Sequence, residues 1–177
     1  MQIESIEEQH WEQILQIQRD AYIDIAPESL EVLQSKVIAS PETCFVALEQ
    51  GKVAGYLLAH PWDEETLPPL FLKLDCKPKG RVLYIHDLAV AKGHGGRGIG
   101  RFMAYEILAQ AKRHSYAQVN LVAVNNASKF WSKLEFKLRF GAYDLSSYGE
   151  GAVVMGFEVE SSINGSNSID FKLLKYR

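Results

Sequence analysis

The chain has 177 residues, of which 47% are hydrophobic and 23% charged, and its formal net charge is -3. The length is typical of one domain. The composition excludes disorder of the body, because such a chain can bury enough apolar surface to offset the entropy lost on folding. No apolar run approaches the roughly 18–20 residues of a membrane span, so no membrane partner is expected. An acidic chain also argues against a general nucleic-acid binder.

The first residues and the cysteines indicate a compartment. The chain begins Met-Gln-Ile-Glu-Ser-Ile-Glu-Glu, which is acidic where a secretory signal would be basic and then apolar. Cys44 and Cys76 are too few for a disulfide framework. We therefore expect free thiols and a cytoplasmic location.

The first third of the chain shows clear periodic patterns. In chain order, they predict a strand at 2–6, a helix from Trp11 to Tyr22, a helix from Pro27 to Ala39 and a β-hairpin of 44–48 with 53–58. Ser5 with Glu8 forms a capping-box pattern before the first helix. Residues 62–80 are rich in proline and predict a long loop, of a length that is often functional.

Residues 81–90 predict a strand at the centre of the sheet. Its two alternating sets, one with His86 and Leu88 and the other with Ile85 and Asp87, are both mostly apolar. A strand of this kind is covered on both faces.

The second half contains one strand–helix–strand crossover. The patterns predict a helix over 100–114, a strand over 119–124, a helix over 127–134 and closing strands at 136–147 and 152–160. We therefore predict an α/β (α+β) fold in a single domain over 1–160, with a mixed, mostly antiparallel central sheet of six to seven strands and about four flanking helices. Residues 161–177 are predicted to be a polar linker and a short tail. The tail could dock on the body, dock on a second subunit of a homodimer, or be disordered.

The turn after the central strand is the most informative stretch. Glycines stand at 93, 95, 96, 98 and 100, where a strand ends and a helix begins. Glycine lets the backbone approach a ligand closely, and the free amides of a helix start attract phosphate. Between Lys92 and Arg113, five basic residues stand against the single acid Glu106. The turn is therefore predicted to bind phosphate.

A dinucleotide site is the weaker interpretation of this turn. Gly93, Gly95 and Gly98 satisfy the G-x-G-x-x-G fingerprint. That site also needs an acid about 20 residues further on for the ribose hydroxyls. No Asp or Glu occurs between Glu106 and Glu135. A nucleotide-dependent oxidoreductase is therefore the third hypothesis.

Two blocks of sequence resemble the GNAT superfamily of acyl-CoA-dependent N-acetyltransferases. HDLAVAKGHGGRGIGRFM is similar to the family's acyl-CoA motif, a strand ending Leu-Ala-Val followed by R/Q-x-x-G-x-G/A. VNLVAVNNASKFWSKLEF resembles the strand and helix that follow it, which usually end Phe-Tyr-x-Lys-x-Gly-Phe. The resemblance runs from Ile3 to about Val159 and implies a GNAT-like fold with acetyl-CoA as co-substrate.

The resemblance also implies which residues hold the cofactor. The backbone of Leu88, Ala89 and Val90 would pair with the pantetheine arm, in a slot where the strands 82–90 and 119–124 splay apart. The pyrophosphate would lie on Gly96, Arg97, Gly98, Ile99, Gly100 and Arg101, with Gly95 opening the motif. The other side of the cofactor would be lined by Asn125, Ser128, Phe130, Trp131 and Lys133.

Three positions depart from the family pattern. Gly95 replaces the Arg or Gln that opens the phosphate motif, so we expect weaker binding, with His94 and Arg97 as substitutes for the lost charge. Glu135 replaces the Gly before the closing Phe and would alter the bend there. Trp131 stands where a Tyr often serves as general acid, and an indole cannot do acid–base chemistry.

Acyl transfer to an amine needs a base, a polarised carbonyl and a proton for the leaving thiolate. The resemblance implies that the Leu88 amide polarises the carbonyl. His86 and Asp87 are the base candidates, and both reach one substrate only if a bulge re-aims one of them. The resemblance implies a bulge near these residues. Tyr148 is the first candidate for the acid, with Tyr84 as the alternative. Each of the four could instead have only a packing or hydrogen-bonding role.

These features predict an acetyl-CoA-dependent N-acetyltransferase that works by direct attack in a ternary complex on a small-molecule or peptide amine. A protein that binds acyl-CoA but no longer transfers the acyl group is the second hypothesis. The histidines show no metal-ligand spacing, so no metal is predicted.

Overall fold

A computed structural model describes residues 1–22, 25–63 and 65–159. They form one seven-stranded sheet in the order β1-β2-β3-β4-β5-β7-β6. The strands are β1 (Gln2–Ser5), β2 (Phe45–Glu49), β3 (Lys52–Trp62), β4 (Val82–Val90), β5 (Gln118–Ala123), β6 (Lys137–Leu138) and β7 (Val153–Glu158). The α-helices are α1 (Trp11–Ala21), α2 (Leu30–Ala39), α3 (Ile99–Arg113) and α4 (Ser128–Ser132). Short 3-10 helices lie at Glu8–His10, Pro41–Thr43 and Ser146–Tyr148.

The predicted fold class is confirmed. Among the described strands, β4 and β5 pair in parallel across the α3 crossover, and the other neighbouring pairs are antiparallel. β4 is central, and its two faces contact separate cores. One core contains Ile85 and the α3 residue Met103, and the other contains Tyr56 and the α1 residue Ile14. Both faces of β4 are thus apolar because a core covers each of them, as predicted.

A β-bulge in β4 changes the predicted alternation. Leu58 of β3 lies opposite Asp87, whereas the next residue, Ala59, lies opposite Ile85. His86 therefore has no pairing residue on β3, and Asp87 faces the same side of the sheet as His86. The prediction that His86 and Leu88 share a face was wrong, since Leu88 packs with the α3 core.

The parallel pairing of β4 with β5 ends early. The last pair is Ile85 with Leu121, although β4 continues to Val90 and β5 to Ala123. Beyond that pair the two strands separate, and the edge of β4 that faces β5 is left without a strand. The separation occurs where the resemblance implied a slot.

The beginnings of the first two helices differ from the predictions. Ser5 ends β1, and the capping box is formed instead by Glu7 with His10, whose Nδ1 accepts from the Glu7 amide at 3.1 Å. Helix α2 starts at Leu30, not Pro27, because the Ser29 side chain caps it by accepting from the Val32 amide.

The predicted strand over 136–147 was largely wrong. Lys137 and Leu138 pair with β7, and one further hydrogen bond runs from the Arg139 amide to the Val154 carbonyl at 2.9 Å. The residues after them alternate poorly and remain outside the core; Phe140 is 90% exposed. The chain then turns into the Ser146–Tyr148 helix. The predicted linker and tail over 161–177 lie outside the described residues.

Candidate active site

A pocket of about 510 Å³, partly open to solvent, lies where β4 and β5 separate. The end of α1, the segment before α2 and the loop after β3 complete its wall. Its apolar lining comes from Ile25, Ala26, Pro27, Leu70, Phe71, Val122 and Val124. Its polar lining comes from Gln18, Tyr22, Glu28, His86, Asp87 and Tyr148. A pocket of this kind, mostly apolar with a few converging polar groups, is typical of a small-molecule site.

His86 lies in this pocket against a buried acid. Its Nε2 is 2.6 Å from Glu28 Oε2, and the two side chains are 2% and 8% exposed. Burial raises the pKa of Glu28, but the hydrogen bond and charge of His86, with the charge of Lys36, outweigh it and hold that pKa below its usual value. Among the described residues, no group hydrogen-bonds to His86 Nδ1. One ring nitrogen is thus held by an ionised carboxylate, while the other has no such contact.

Asp87, the other base candidate, is engaged on both oxygens. Tyr22 donates to Oδ1 and Tyr56 to Oδ2, each at 2.5 Å. Burial raises the pKa of Asp87, although the two hydrogen bonds lower it. Burial and the Asp87 charge raise the pKa values of both tyrosines well above the usual range, so they remain protonated donors. The bulge brings Asp87 to the face of His86, but its oxygens already have partners.

Tyr148 and Tyr84 are in contact. Their hydroxyl oxygens are 3.3 Å apart, and Tyr148 donates to the carbonyl of Pro68 at 3.2 Å. Burial raises the pKa of Tyr148, so the phenol is protonated at neutral pH. Tyr148 lines the pocket with His86 and Asp87, so the structure brings the predicted acid and the predicted bases to one cavity.

The glycine turn has the conformation of an anion-binding loop. Gly93, Gly96 and Gly98 have φ values of 85°, 76° and 81°, and Gly98 is the N-cap of α3. The first bond of the helix runs from the Phe102 amide to the Gly98 carbonyl at 2.9 Å. The amides between these two residues therefore point out of the helix start, where they can bind phosphate.

The basic side chains of the turn are partly engaged. Arg97 forms two contacts with Glu49 of β2, at 2.8 and 2.9 Å, and His94 lies 3.6 Å from the same carboxylate. The Arg101 guanidinium lies 5.9 Å from the centre of the Tyr105 ring. In this structure Glu49 thus already contacts the two side chains expected to replace the charge missing at Gly95.

The residues predicted on the other side of the cofactor have different environments. Trp131 is only 6% exposed and packs edge-on against Phe130 and Phe136, at 4.9 and 5.0 Å between ring centres. Lys133 and Asn125 are exposed, and Ser128 is half-buried. The Asn125 amide reaches to within 3.5 Å of the Ala21 carbonyl, which links the end of β5 to the end of α1.

Gly100, in the first turn of α3, lies beside Phe130 of α4 and Val90 of β4. A Cβ on it would meet them at 3.4 and 3.6 Å, which are ordinary van der Waals distances. The packing around this position therefore does not itself require a glycine.

Sequence reasoning missed Glu28, Tyr22 and Tyr56. Glu28 falls in the first turn of the predicted second helix. Tyr22 ends the predicted first helix, and Tyr56 lies in an apolar strand of the predicted hairpin. Their partners are far away in the chain: Glu28 and His86 are separated by 58 positions, and Tyr22 and Asp87 by 65. No local signal indicates such pairs.

The described ranges contain neither a metal-binding cluster nor a membrane-spanning helix. Across 1–22, 25–63 and 65–159, no three His, Cys, Asp or Glu side chains are grouped in a way that could hold a metal ion. No helix in those ranges combines the length and apolar character needed to cross a bilayer.

Known proteins share this sequence pattern and this fold. Residues 11–136 match the model of the Acetyltransferase (GNAT) family. Serotonin N-acetyltransferase of Mesocricetus auratus is 26% identical over 98 residues, which are 54% of this chain and 47% of that protein. The chain therefore matches about half the length of this curated relative.

Solved structures resemble the whole described body. Ard1 from Thermoplasma volcanium has a TM-score of 0.70 at 16% identity, with 90% of this chain and 98% of that one covered. The GNAT-like decarboxylase GphF, in complex with isobutyryl-CoA, has a TM-score of 0.74 at 15% identity, with 90% and 100% covered. At these identities the likeness establishes the fold. With the family match over most of its length, the chain belongs to the GNAT acetyltransferase family.

Proposed function

We propose that this protein transfers an acetyl group from acetyl-CoA to a primary amine of a small-molecule or peptide acceptor, by direct attack in a ternary complex. One observation carries the proposal: a buried histidine, whose Nδ1 has no hydrogen-bond partner in the described ranges, lines the pocket that opens where β4 and β5 separate. Family membership supports acyl transfer in general, and the relative named serotonin N-acetyltransferase supports an amine as acceptor.

The free edge of β4 and the glycine turn after it have the groups needed to bind a CoA thioester. Beyond Ile85, the edge of β4 lacks a strand partner from β5, so the backbone of Leu88 to Val90 could pair with the pantetheine arm; the Tyr22 hydroxyl lies 3.4 Å from the Leu88 carbonyl. The amides from Gly96 to Arg101, which include those of Ile99 to Arg101 that point out of the helix start, would hold the pyrophosphate. The Leu88 amide would polarise the thioester carbonyl, as a donor placed where negative charge develops. The complex of GphF with isobutyryl-CoA supports this class of ligand for the fold.

His86 would act as the base. An alkyl amine has a pKa of about 10.4 and is mostly protonated at neutral pH, so its proton must leave before or during attack. His86 Nδ1, a buried nitrogen with no hydrogen-bond partner among the described residues, would accept this proton. As the nitrogen of the acceptor bonds to the acetyl carbon, the carbon–sulfur bond breaks and its electron pair stays on sulfur.

Tyr148 would return a proton to the sulfur. Its phenol is protonated and receives a hydrogen bond from Tyr84, which would stabilise the phenolate formed on proton donation. Overall, the protonated amine loses two protons and the thiolate gains one, so the products are an amide, free CoA thiol and one proton released to solvent. His86 and Tyr148 exchange protons with solvent before the next turnover.

The first experiment separates cofactor binding from transfer. Thermal unfolding is measured with acetyl-CoA, and with NAD as the control. Ligand at about 100 times its Kd stabilises by about 2.7 kcal/mol, which is roughly 5–10 °C for this size. Thiol release is then measured with a panel of primary amines. A shift with acetyl-CoA and thiol release with an amine support the proposal, whereas a shift with NAD alone contradicts it.

The His86→Gln variant tests the base. Loss of a general base lowers kcat by about 10²–10⁴-fold, while the thermal shift with acetyl-CoA should persist. His114→Gln, at the exposed end of α3, is the matched control and should retain full activity. Equal activity of the two variants would contradict the role of His86.

A protein that binds acyl-CoA without transfer remains the second candidate. Gly95 and the buried Trp131 favour it, since both remove a side chain that the family pattern places at the site. A thermal shift with acetyl-CoA, together with no thiol release for any amine over the pH range 6–9, would favour this candidate over the enzyme.

A further inference from the structure

The carboxylate of Glu28 is bound on both of its oxygens. Oε2 contacts His86 Nε2 at 2.6 Å, and Oε1 accepts a hydrogen bond of 2.7 Å from the Phe71 amide. Lys36 Nζ lies 3.9 Å from Oε1 and donates to the Leu72 carbonyl at 3.1 Å. Glu28 therefore connects the bulge of β4 to the loop that follows β3.

The contact with Glu28 decides which nitrogen of His86 carries the proton. An ionised carboxylate can only accept hydrogen bonds, so His86 Nε2 is the donor. In the neutral ring the lone pair is then on Nδ1, the nitrogen without a hydrogen-bond partner in the described part of the chain. A base needs this tautomer if it accepts a proton through Nδ1.

Other titratable groups surround the His86 ring on several elements. They are His60 of β3, Tyr84 and Asp87 of β4, Tyr22 at the end of α1, Lys36 of α2 and Tyr148 of the 3-10 helix. His60 is no competitor for the proton, because burial lowers its pKa to about 3. The oxygens of Asp87 are occupied by tyrosine hydroxyls. Of the described residues, Glu28 is the one hydrogen-bonded to a nitrogen of the ring.

The loop side of this connection is conformationally strained. Phe71 has a φ of 64°, in the left-handed region that a bulky residue adopts only when its surroundings enforce it. Its amide holds Glu28, and its side chain lines the pocket. The conformation of the loop and the position of the Glu28 carboxylate are therefore coupled.

We infer that Glu28 is a positioning residue, which fixes His86 in the tautomer whose Nδ1 accepts the proton of the incoming amine. The Phe71 amide holds Glu28 in that position. The inference rests on the proposed role of His86 as base. Glu28 itself touches no reacting atom. Its negative charge orients the ring and stabilises the positive charge that the ring gains on proton transfer.

The Glu28→Gln variant tests this role through activity. Glutamine carries no charge, and its amide can donate to Nε2 and so favour the wrong tautomer. We expect kcat to fall by about 10–100-fold, with KM for acetyl-CoA changed by less than about twofold. The acidic limb of the pH–kcat profile should move to lower pH, because the protonated ring loses its counter-charge. A purely structural residue would lower activity equally at every pH.

A matched control comes from the next acid along the chain. Glu31 also pairs with the loop, through Lys73 at 2.9 Å, but its side chain is 71% exposed and it does not contact His86. Glu31→Gln therefore removes a loop contact without touching the ring. It should leave kcat and the pH profile unchanged, and an effect as large as that of Glu28→Gln would overturn the inference.

Ring ¹⁵N NMR of the full chain tests the tautomer without any substrate. The His86 signals are assigned by their loss in His86→Gln. Wild type should show the Nε2–H form at neutral pH, and Glu28→Gln should show a mixture or the Nδ1–H form. An Nδ1–H form in wild type would overturn the inference even if Glu28→Gln failed to fold. If wild type showed the Nε2–H form but acetylated no amine, the proposed function would be contradicted, whereas the pairing of Glu28 with His86 would still hold.

Discussion

Tyr56 of β3 and Asp87 of β4 lie on neighbouring strands, and the Tyr56 hydroxyl donates to Asp87 Oδ2 at 2.5 Å. Tyr22, at the end of α1, donates to the other oxygen at the same distance. Because Asp87 directly follows the bulged residue His86, the two tyrosines hold the bulge against α1. Asp87 thus maintains the shape of the site, and its oxygens are not free to take a proton from a substrate.

Replacing Tyr56 by phenylalanine should destabilise the fold. Tyr56 is fully buried, so the variant leaves Asp87 Oδ2 without this donor and out of contact with water. Hydrogen bonds to charged groups contribute about 1.5–3 kcal/mol, and we expect a loss of that size in the free energy of unfolding. Urea denaturation measures it. Tyr143→Phe, at a half-buried tyrosine outside the two cores, should change stability by less than about 0.5 kcal/mol. Equal losses in both variants would contradict the role of the Tyr56 hydroxyl.

The Asp87→Asn variant should remove a pH dependence of stability. Burial raises the pKa of Asp87 in the folded state, so the folded protein binds a proton that the unfolded chain has already released. The stability that this contributes is complete below the unfolded pKa of about 3.9, and is lost as pH rises through the folded value.

The measurement compares urea denaturation of wild type and Asp87→Asn at several pH values upward from about 4. The free energy of unfolding of wild type, relative to the variant, should fall as pH rises. Asparagine can still accept from one tyrosine and donate to the other, so the variant should fold. If the free energy of unfolding of wild type, relative to the variant, instead rose with pH, the folded state would stabilise the Asp87 carboxylate and the prediction would be wrong.

The sequence predicted the fold better than the site. The two apolar faces of residues 81–90 and the glycines from 93 to 100 are local signals, and they placed β4 and the turn between β4 and α3 correctly. The bulge at His86 came only from the family resemblance, because alternation alone places His86 and Asp87 on opposite faces. Glu28 depends on a contact across three elements, and no pattern within any one of them indicates it.

The segment after Phe136 shows a second limit. Its aromatic residues and leucines suggested a long strand, but ladder pairing stops after Leu138. Tyr148 lies on a 3-10 helix, which brings its side chain to the pocket. Composition alone does not distinguish this turn from a continued strand.

Restoring a polar side chain at Gly95 should strengthen cofactor binding. An added Cβ at this position meets no heavy atom within 4 Å, and the backbone is outside the left-handed region. Gly95→Gln should therefore fold normally and supply one further hydrogen bond to a phosphate. Such a bond is worth about 1.4 kcal/mol, which is a tenfold lower Kd for acetyl-CoA by calorimetry.

Gly98→Gln is the matched control for Gly95→Gln. It also meets open space, but Gly98 has a φ of 81°, so a side chain there is strained by about 1–2 kcal/mol. This variant should lose stability and gain no affinity. If Gly95→Gln left the Kd unchanged, the backbone amides alone would account for phosphate binding at this turn.

The Glu135→Gly variant should stabilise the protein, because Glu135 has a φ of 68° at the end of α4. A left-handed conformation costs an L-residue about 1–2 kcal/mol, and glycine avoids this cost while adding about 0.5–1 kcal/mol of entropy to the unfolded chain. We expect a net gain of up to about 1 kcal/mol in urea denaturation. Lys133→Gly is the matched control, since Lys133 has a φ of -68° and glycine should only destabilise there. Loss of stability in both variants would show that the chain relieves the strain at Glu135 through contacts that glycine cannot make.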